Sequence, residues 1–153
     1  GLYYLTANLP FGKHTTATPD GRRSGEPLND GGISPVHGRD TKGLTAVAKS
    51  GGQLDSQRVP HGTILNQRLH PSLLDGDGRM KTFEHYIRTF MNLGGWHTQF
   101  NIITSDKLRE AQREPDKYSD LVIRVAGYSA YFTRLEKEVQ NDIIDRTEHT
   151  AFG

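Results

Sequence analysis

Leu121-Val122-Ile123-Arg124-Val125-Ala126-Gly127-Tyr128-Ser129-Ala130-Tyr131-Phe132 is the stretch around which the rest of the chain is organised. An apolar run, Leu121-Val122-Ile123, feeds a polar-and-small loop centred on one glycine. That pattern predicts a buried strand closed by a tight turn, in which glycine takes a backbone conformation that other residues resist. Downstream, Leu135, Val139 and Ile143 with Ile144 lie at i, i+4 and i+8 and predict an amphipathic last helix ending near Glu148-His149, followed by a frayed tail from Thr150 to Gly153. On physical grounds alone a structural turn explains Gly127 well. Ser129 lacks the flanking glycines of a Gly-x-Ser-x-Gly nucleophile elbow, having Tyr128 and Ala130 beside it.

Working outward, Trp96 to Ile103 alternates bulky with polar residues and then turns apolar, the pattern of a strand whose far end is buried on both faces. Ser105 followed by Asp106 opens a helix over Lys107 to Arg113, which Pro115 terminates. Met80, Phe83, Ile87, Phe90 and Met91 predict a longer helix with an apolar core face, capped by Asp75 or Asp77 and stopped at Gly94-Gly95. Leu74 to Gly78 has the look of a calcium loop, but Tyr86 occupies the twelfth position from Asp75, where a bidentate Glu is required. Gly62 to Leu69 reads as a strand ending at His70-Pro71, and Leu44 to Lys49 as a brief helix between Gly43 and Gly51-Gly52. Before that, turn signatures such as Thr18-Pro19-Asp20-Gly21 and Glu26-Pro27 crowd out long elements. Asp30-Gly31-Gly32 lacks both the Lys-Ser/Thr and the preceding strand of a phosphate-binding loop. The fold class is α/β: a loop-rich first half, then helix, strand, helix, strand, glycine loop and C-terminal helix.

The 19 basic and 18 acidic residues among 153 give no electrostatic reason to expect nucleic acid or a membrane surface as partner. With 33% apolar residues and a mean hydropathy of −0.67 there is little material for an independent core, so the chain reads as part of something larger. No apolar run approaches the ~18 residues of a membrane span, and Gly1-Leu2-Tyr3-Tyr4 lacks the features of a signal peptide, which makes the cytoplasm the expected location. A start without Met reads as a cleavage product or an excerpt. Cysteine is absent, so the chain itself holds no disulfide, thiolate metal site or cysteine nucleophile. The seven histidines never stand at i, i+4 with a carboxylate between them, and no metal site is expected.

Arg124-Val125-Ala126-Gly127-Tyr128-Ser129-Ala130 resembles the signature loop of the glycyl radical enzymes, the pyruvate formate-lyase-like family. The resemblance extends through Trp96 to Asn101, Leu108 to Gln112, Gln140 to Ile144 and Arg146 to His149. Upstream it takes in Pro19 to Arg22, Gly31 to Gly38, Thr45-Ala46 and Leu65-Asn66-Gln67. It implies the C-terminal part of a large α/β barrel enzyme, with residues 1–95 as the loop-rich end of the barrel domain and 96–153 as the glycyl radical domain. In that family a separate activating enzyme, using S-adenosylmethionine and an iron-sulfur cluster, removes one hydrogen from the glycine Cα, and no further cofactor is bound. A glycine radical flattens and delocalises between the neighbouring amide nitrogen and carbonyl, and it has no side chain to clash with the planar state. The radical passes to a cysteine outside this chain, which attacks a small-molecule substrate; the protein supplies burial and position. By itself the chain would be inert.

The resemblance implies roles at matching positions. Gly127 stores the radical, and Arg124, Val125, Ala126, Tyr128 and Ser129 form the loop that the activating enzyme recognises. Arg146, on the last helix, reaches the substrate pocket in some lyase-type relatives, although a helix C-terminal cation explains it equally well. His97, Gln99 and Asn101 line that pocket if their face of the strand points inward. Leu44 departs from the family pattern, which commonly has proline there. The loop variant fits the branch of dehydratases, amine or sulfite lyases, decarboxylases and hydrocarbon-fumarate adding enzymes, acting as a homodimer. Elimination across a C–O, C–N or C–S bond is the expected reaction. The alternatives are radical addition of a hydrocarbon to fumarate, toward which Asn66 to Leu69 and Gln112 to Pro115 lean slightly, a stand-alone spare-part protein that repairs a damaged formate-lyase, or an interaction domain in which Gly127 is only a turn.

Overall fold

The computed structural model describes residues 7–59 and 62–153; the first six residues of the loop-rich segment lie outside them. The expected α/β class holds. The regular elements are α1 (Asn8–Lys13), α2 (Leu44–Gly52), β1 (Leu65–Leu69), α3 (Arg79–Asn92), β2 (Thr98–Ile102), α4 (Ser105–Arg113), β3 (Val122–Arg124), β4 (Ser129–Tyr131), α5 (Lys137–Asp145) and β5 (Glu148–His149). β1 is buried along its whole length and lies at the centre of a parallel sheet of order β2-β1-β5. Its register sets Leu65 opposite Thr98 and Leu69 opposite Ile102, while Arg68 and Leu69 face Glu148 and His149.

Two apolar clusters flank this sheet. In the first, α2 and α3 pack Leu44, Val47, Ala48, Tyr86 and Phe90 against Leu65, Leu69 and Leu73. Full burial of each leucine, valine or phenylalanine among them contributes about 1.5–3 kcal/mol. Leu44 is wholly buried. α2 runs on through Gly51-Gly52, past the end expected at Lys49. Gly52 lets α3 approach, since a Cβ there would lie 2.4 Å from Leu93 Cβ. In the second cluster Leu108 and Ala111 of α4 and Ile143 and Ile144 of α5 meet Ile103, Ile123, Val125 and Phe132. Between α1 and α2 the backbone finds its partners in turns and in Arg22, whose buried guanidinium donates to the carbonyls of Glu26 at 2.6 Å, Arg23 at 3.0 Å and Thr15 at 3.3 Å, and to Thr16. The expected turn at Pro19-Asp20-Gly21 is present, with Gly21 N–H donating to Thr18 at 3.0 Å.

Several expectations need correction. α3 is preceded by Gly78 without a side-chain cap, so neither Asp75 nor Asp77 serves. Its core face is Phe83, Tyr86, Ile87 and Phe90, whereas Met80 and Met91 face outward. β2 is an edge strand of its sheet, and Ile102 at its far end is exposed, not buried on both faces. The run at 121–125 is one arm of an antiparallel hairpin with β4, not a buried strand of the parallel sheet, because Ser129-Ala130-Tyr131 turns back along it. α5 stops at Asp145, and Glu148-His149 extends to pair with β1. The tail is docked rather than frayed: Thr45 N–H donates to Phe152 O at 2.8 Å, and the Phe152 ring lies 5.9 Å from that of Tyr86. Among the described residues, no helix is long and apolar enough to cross a membrane.

Candidate functional site

The β3–β4 hairpin pairs Val122 with Tyr131, Ile123 with Ala130 and Arg124 with Ser129, which puts Gly127 in the turn. Val125 N–H donates to Tyr128 O at 2.9 Å and closes it. Gly127 has φ +80°, in the left-handed region where a side chain costs about 1–2 kcal/mol. Glycine is therefore required for shape before any chemistry is considered. Val125 and Ala126 are buried, Gly127 is half-buried, and Tyr128 and Ser129 face outward.

Side chains from three directions hold this turn. Arg124 Nε donates to Gln99 Oε1 at 2.7 Å and its Nη1 to Ser129 Oγ at 3.1 Å, so the arginine ties both arms of the hairpin to β2. The Asn101 amide grips the Arg124 backbone at both ends, accepting from its N–H at 2.9 Å and donating to its C=O at 2.8 Å. Arg146 donates to Val125 O at 2.7 Å, immediately before the turn.

Arg146 is not on the last helix but is the residue that follows it, extended at φ −61° and ψ 143° and 9% exposed. Its guanidinium bridges Asp142 at 3.0 Å and Asp30 at 3.3 Å. Asp142 also accepts from Asn8 at 3.0 Å, with His37 Nε2 at 3.5 Å. Asp30 accepts from Asn66 Nδ2, and Asn66 Oδ1 accepts from Gln99 Nε2 at 2.6 Å. A buried polar network thus encircles the base of the hairpin and links both arginines. Burial pushes the Asp30 carboxyl above its ordinary range, Arg146 and Asn66 offset part of that push, and the neighbouring Asp142 carboxylate adds to it.

Of His97, Gln99 and Asn101, the three residues expected at a pocket, only His97, just before β2, borders a cavity with Gly127; Gly62, Thr63, Ile64, Gly95 and Trp96 complete its lining, and its volume is about 490 Å³. Gln99 and Asn101 spend their amides on Arg124, and Arg146 spends its guanidinium on Val125 and two carboxylates. All three thus hold the loop. Asp30, Asn66 and Asp142 were not picked out as site residues by sequence. For Asp142 a signal existed, since it stands one helical turn before Arg146. Among the described residues, no group of three His, Asp or Glu side chains is placed to hold a metal ion.

A family model described as "Glycine radical" matches residues 29–133. The chain is 46% identical to the probable dehydratase YbiW of Escherichia coli (strain K12), over 97% of this chain and 19% of that protein. It is 44% identical to the indoleacetate decarboxylase of Tractidigestivibacter scatoligenes, over 96% of this chain and 17% of the relative. The glycerol-bound form of the B12-independent glycerol dehydratase from Clostridium butyricum superposes with a TM-score of 0.89 at 49% identity, covering 94% of this chain and 18% of that one. The chain spans about a fifth of the length of the relatives it matches. Fumarate addition finds no support among these relatives. The residues that leaned toward it have structural work instead: Asn66 joins the buried network, Arg68 donates to Ile143 O at 3.3 Å, and Gln112 donates to Asn141 at 2.9 Å. The chain belongs to the glycine radical family, and the matched residues include the Gly127 hairpin.

Proposed function

We propose that this chain is the radical-storing part of a large anaerobic lyase-type glycyl radical enzyme, with residues 96–153 as the radical segment and 1–95 as the end of the barrel beside it. The observation that carries the reading is Gly127 itself, with φ +80° at the tip of a hairpin locked at its base by Arg124 and Arg146 and open on one side to a cavity. A separate S-adenosylmethionine and iron-sulfur activating enzyme takes one hydrogen atom from the Gly127 Cα, recognising the loop through Arg124, Val125, Ala126, Tyr128 and Ser129. The unpaired electron then spreads over the flanking amide and carbonyl. A cysteine in the remainder of the subunit returns a hydrogen atom to Gly127 and becomes the thiyl radical that attacks a small substrate, from which water, an amine or sulfite is eliminated. The names of the two dehydratases among the relatives favour this group of reactions. The full enzyme is a cytoplasmic homodimer.

Burial of Val125 and Ala126 shields one side of the radical, and the rest of the barrel covers the exposed Tyr128 side. Brief exposure of the activated full-length enzyme to air tests the assignment. Oxygen adds to a carbon radical, and the resulting peroxyl breaks the chain at that residue, so mass spectrometry is expected to find a new terminus at Gly127. Scission elsewhere with residues 124–129 intact would remove Gly127 from this role.

A further inference from the structure

Thr63 stands two residues before β1, on the wall of the cavity that opens on Gly127. The main chain that follows it is fixed: Ile64 N–H donates to Gly31 O at 2.8 Å and Leu65 N–H to His97 O at 3.0 Å. Thr63 is 4% exposed, and its Oγ1 has no hydrogen-bond partner among the described residues. A buried hydroxyl left in that state is destabilising, and a valine would fill the same space without it. The oxygen therefore calls for a group that enters the cavity from outside this chain. Its neighbours on the wall do not compete for that group. The side chains of Trp96 and His97 are exposed, and Gly62 and Gly95 have none; at Gly95 there is no room for one, since a Cβ would lie 2.4 Å from the Phe90 ring.

The radical-storing reading, on which this inference rests, says what enters. Hydrogen-atom transfer requires donor and acceptor atoms in contact, so the cysteine sulfur must reach Gly127 on the side where the glycine is open. That side is this cavity, and its volume of about 490 Å³ admits the tip of a loop. We propose that the Thr63 hydroxyl donates a hydrogen bond to that sulfur and so seats the thiol beside Gly127. The sulfur accepts through a lone pair, which leaves its one hydrogen free to point at the Gly127 Cα. In the transfer the S–H bond breaks, a Cα–H bond forms and the unpaired electron passes to sulfur. The Thr63 proton stays on its own oxygen throughout.

The test uses the full-length enzyme before activation. Its crystal structure is expected to place the cysteine sulfur within hydrogen-bond reach of Thr63 Oγ1; a hydroxyl bonded instead to water, to a main-chain group or to another side chain overturns the assignment. Amide hydrogen exchange of the loop that carries the cysteine is expected to speed by roughly fivefold in Thr63→Val and to return toward the unmodified rate in Thr63→Ser. With the cysteine replaced by alanine, Thr63→Val is expected to add no further change, because the partner of the hydroxyl is already gone. Unchanged exchange in Thr63→Val overturns the contact, and so does an effect of the same size without the cysteine. Electron spin resonance after activation decides the underlying reading separately. If the unmodified enzyme forms no radical, that reading fails, while the crystal structure and the exchange data still decide whether Thr63 holds the sulfur.

Discussion

Truncation of Arg146 probes the buried network at its most connected point. Arg146→Ala removes the ion pair to Asp142 at 3.0 Å, the contact with Asp30 at 3.3 Å and the hydrogen bond to Val125 O at 2.7 Å, all from a side chain 9% exposed. Removing one partner of a buried charge network costs about 3–5 kcal/mol, since the carboxylates left behind lie out of water with no counter-charge. Protonation limits that cost, most readily at Asp30, whose carboxyl burial already holds above its ordinary range. A cost of about 4 kcal/mol, felt where the network holds the hairpin, corresponds to roughly a thousandfold faster amide exchange at residues 122–131 of the full-length enzyme at neutral pH. Neutralising the partners in the same chain, as Arg146→Ala with Asp30→Asn and Asp142→Asn, is expected to recover more than half of that loss, because the three side chains form one unit. A single-variant effect below tenfold, or a triple variant in which the three losses add, would refute the reasoning.

Two further predictions concern the frame around the site. Glu148 accepts from Ser105 N–H at 2.7 Å and Oγ at 2.6 Å; burial pushes its pKa up, but these bonds outweigh it and hold the carboxyl below its ordinary 4.5. A depressed folded pKa contributes stability that is present above the unfolded value and lost as pH falls through the folded one. The local cost of Ser105→Ala, read by exchange of β5 in the full-length enzyme, should therefore be full at pH 6 and shrink below about pH 4.5; a pH-independent difference would contradict it. Gly51 and Gly52 make a matched pair. A methyl on Gly52 meets Leu93 Cβ at 2.4 Å and should cost about 1–3 kcal/mol through overpacking, whereas one on Gly51 meets Phe90 at an ordinary 3.4 Å and should be tolerated, as thermal unfolding of the two Ala variants will distinguish.

Much of this frame was legible in the sequence, because hydrophobic period reports burial. The Phe83, Ile87 and Phe90 spacing gave α3, the Gly62 to Leu69 run ending at His70-Pro71 gave β1, which starts only at Leu65, and Ser105 with Pro115 bracketed α4, although Thr104 rather than Ser105 caps it. β5 was not legible, since Glu148-His149 is too short to carry a period and is fixed by its pairing with Arg68 and Leu69. Nor was the hairpin return: Ser129-Ala130-Tyr131 has no apolar alternation, and its pairing follows from the turn at Gly127. At the site, Gly127 was read from a resemblance to the family's loop, and its positive φ fits the turn glycine that the local pattern also predicted. The side chains that position it were read as pocket residues, because a polar residue on a strand says only that it needs a partner. That Gln99 and Asn101 satisfy Arg124, 25 and 23 positions away, depends on the hairpin folding back beside β2. Asp30 and Asn66 join Arg146 only because β1 sits between the two halves of the chain.

The central claim is that an unpaired electron resides on the Cα of Gly127. Electron spin resonance of the full-length enzyme after anaerobic treatment with its activating enzyme measures this directly, since the one hydrogen remaining on Cα splits the signal into a doublet. The account predicts that the doublet collapses to a single line when the protein is made with α-deuterated glycine and is absent in Gly127→Ala. A doublet that survives in Gly127→Ala would place the radical elsewhere and contradict it.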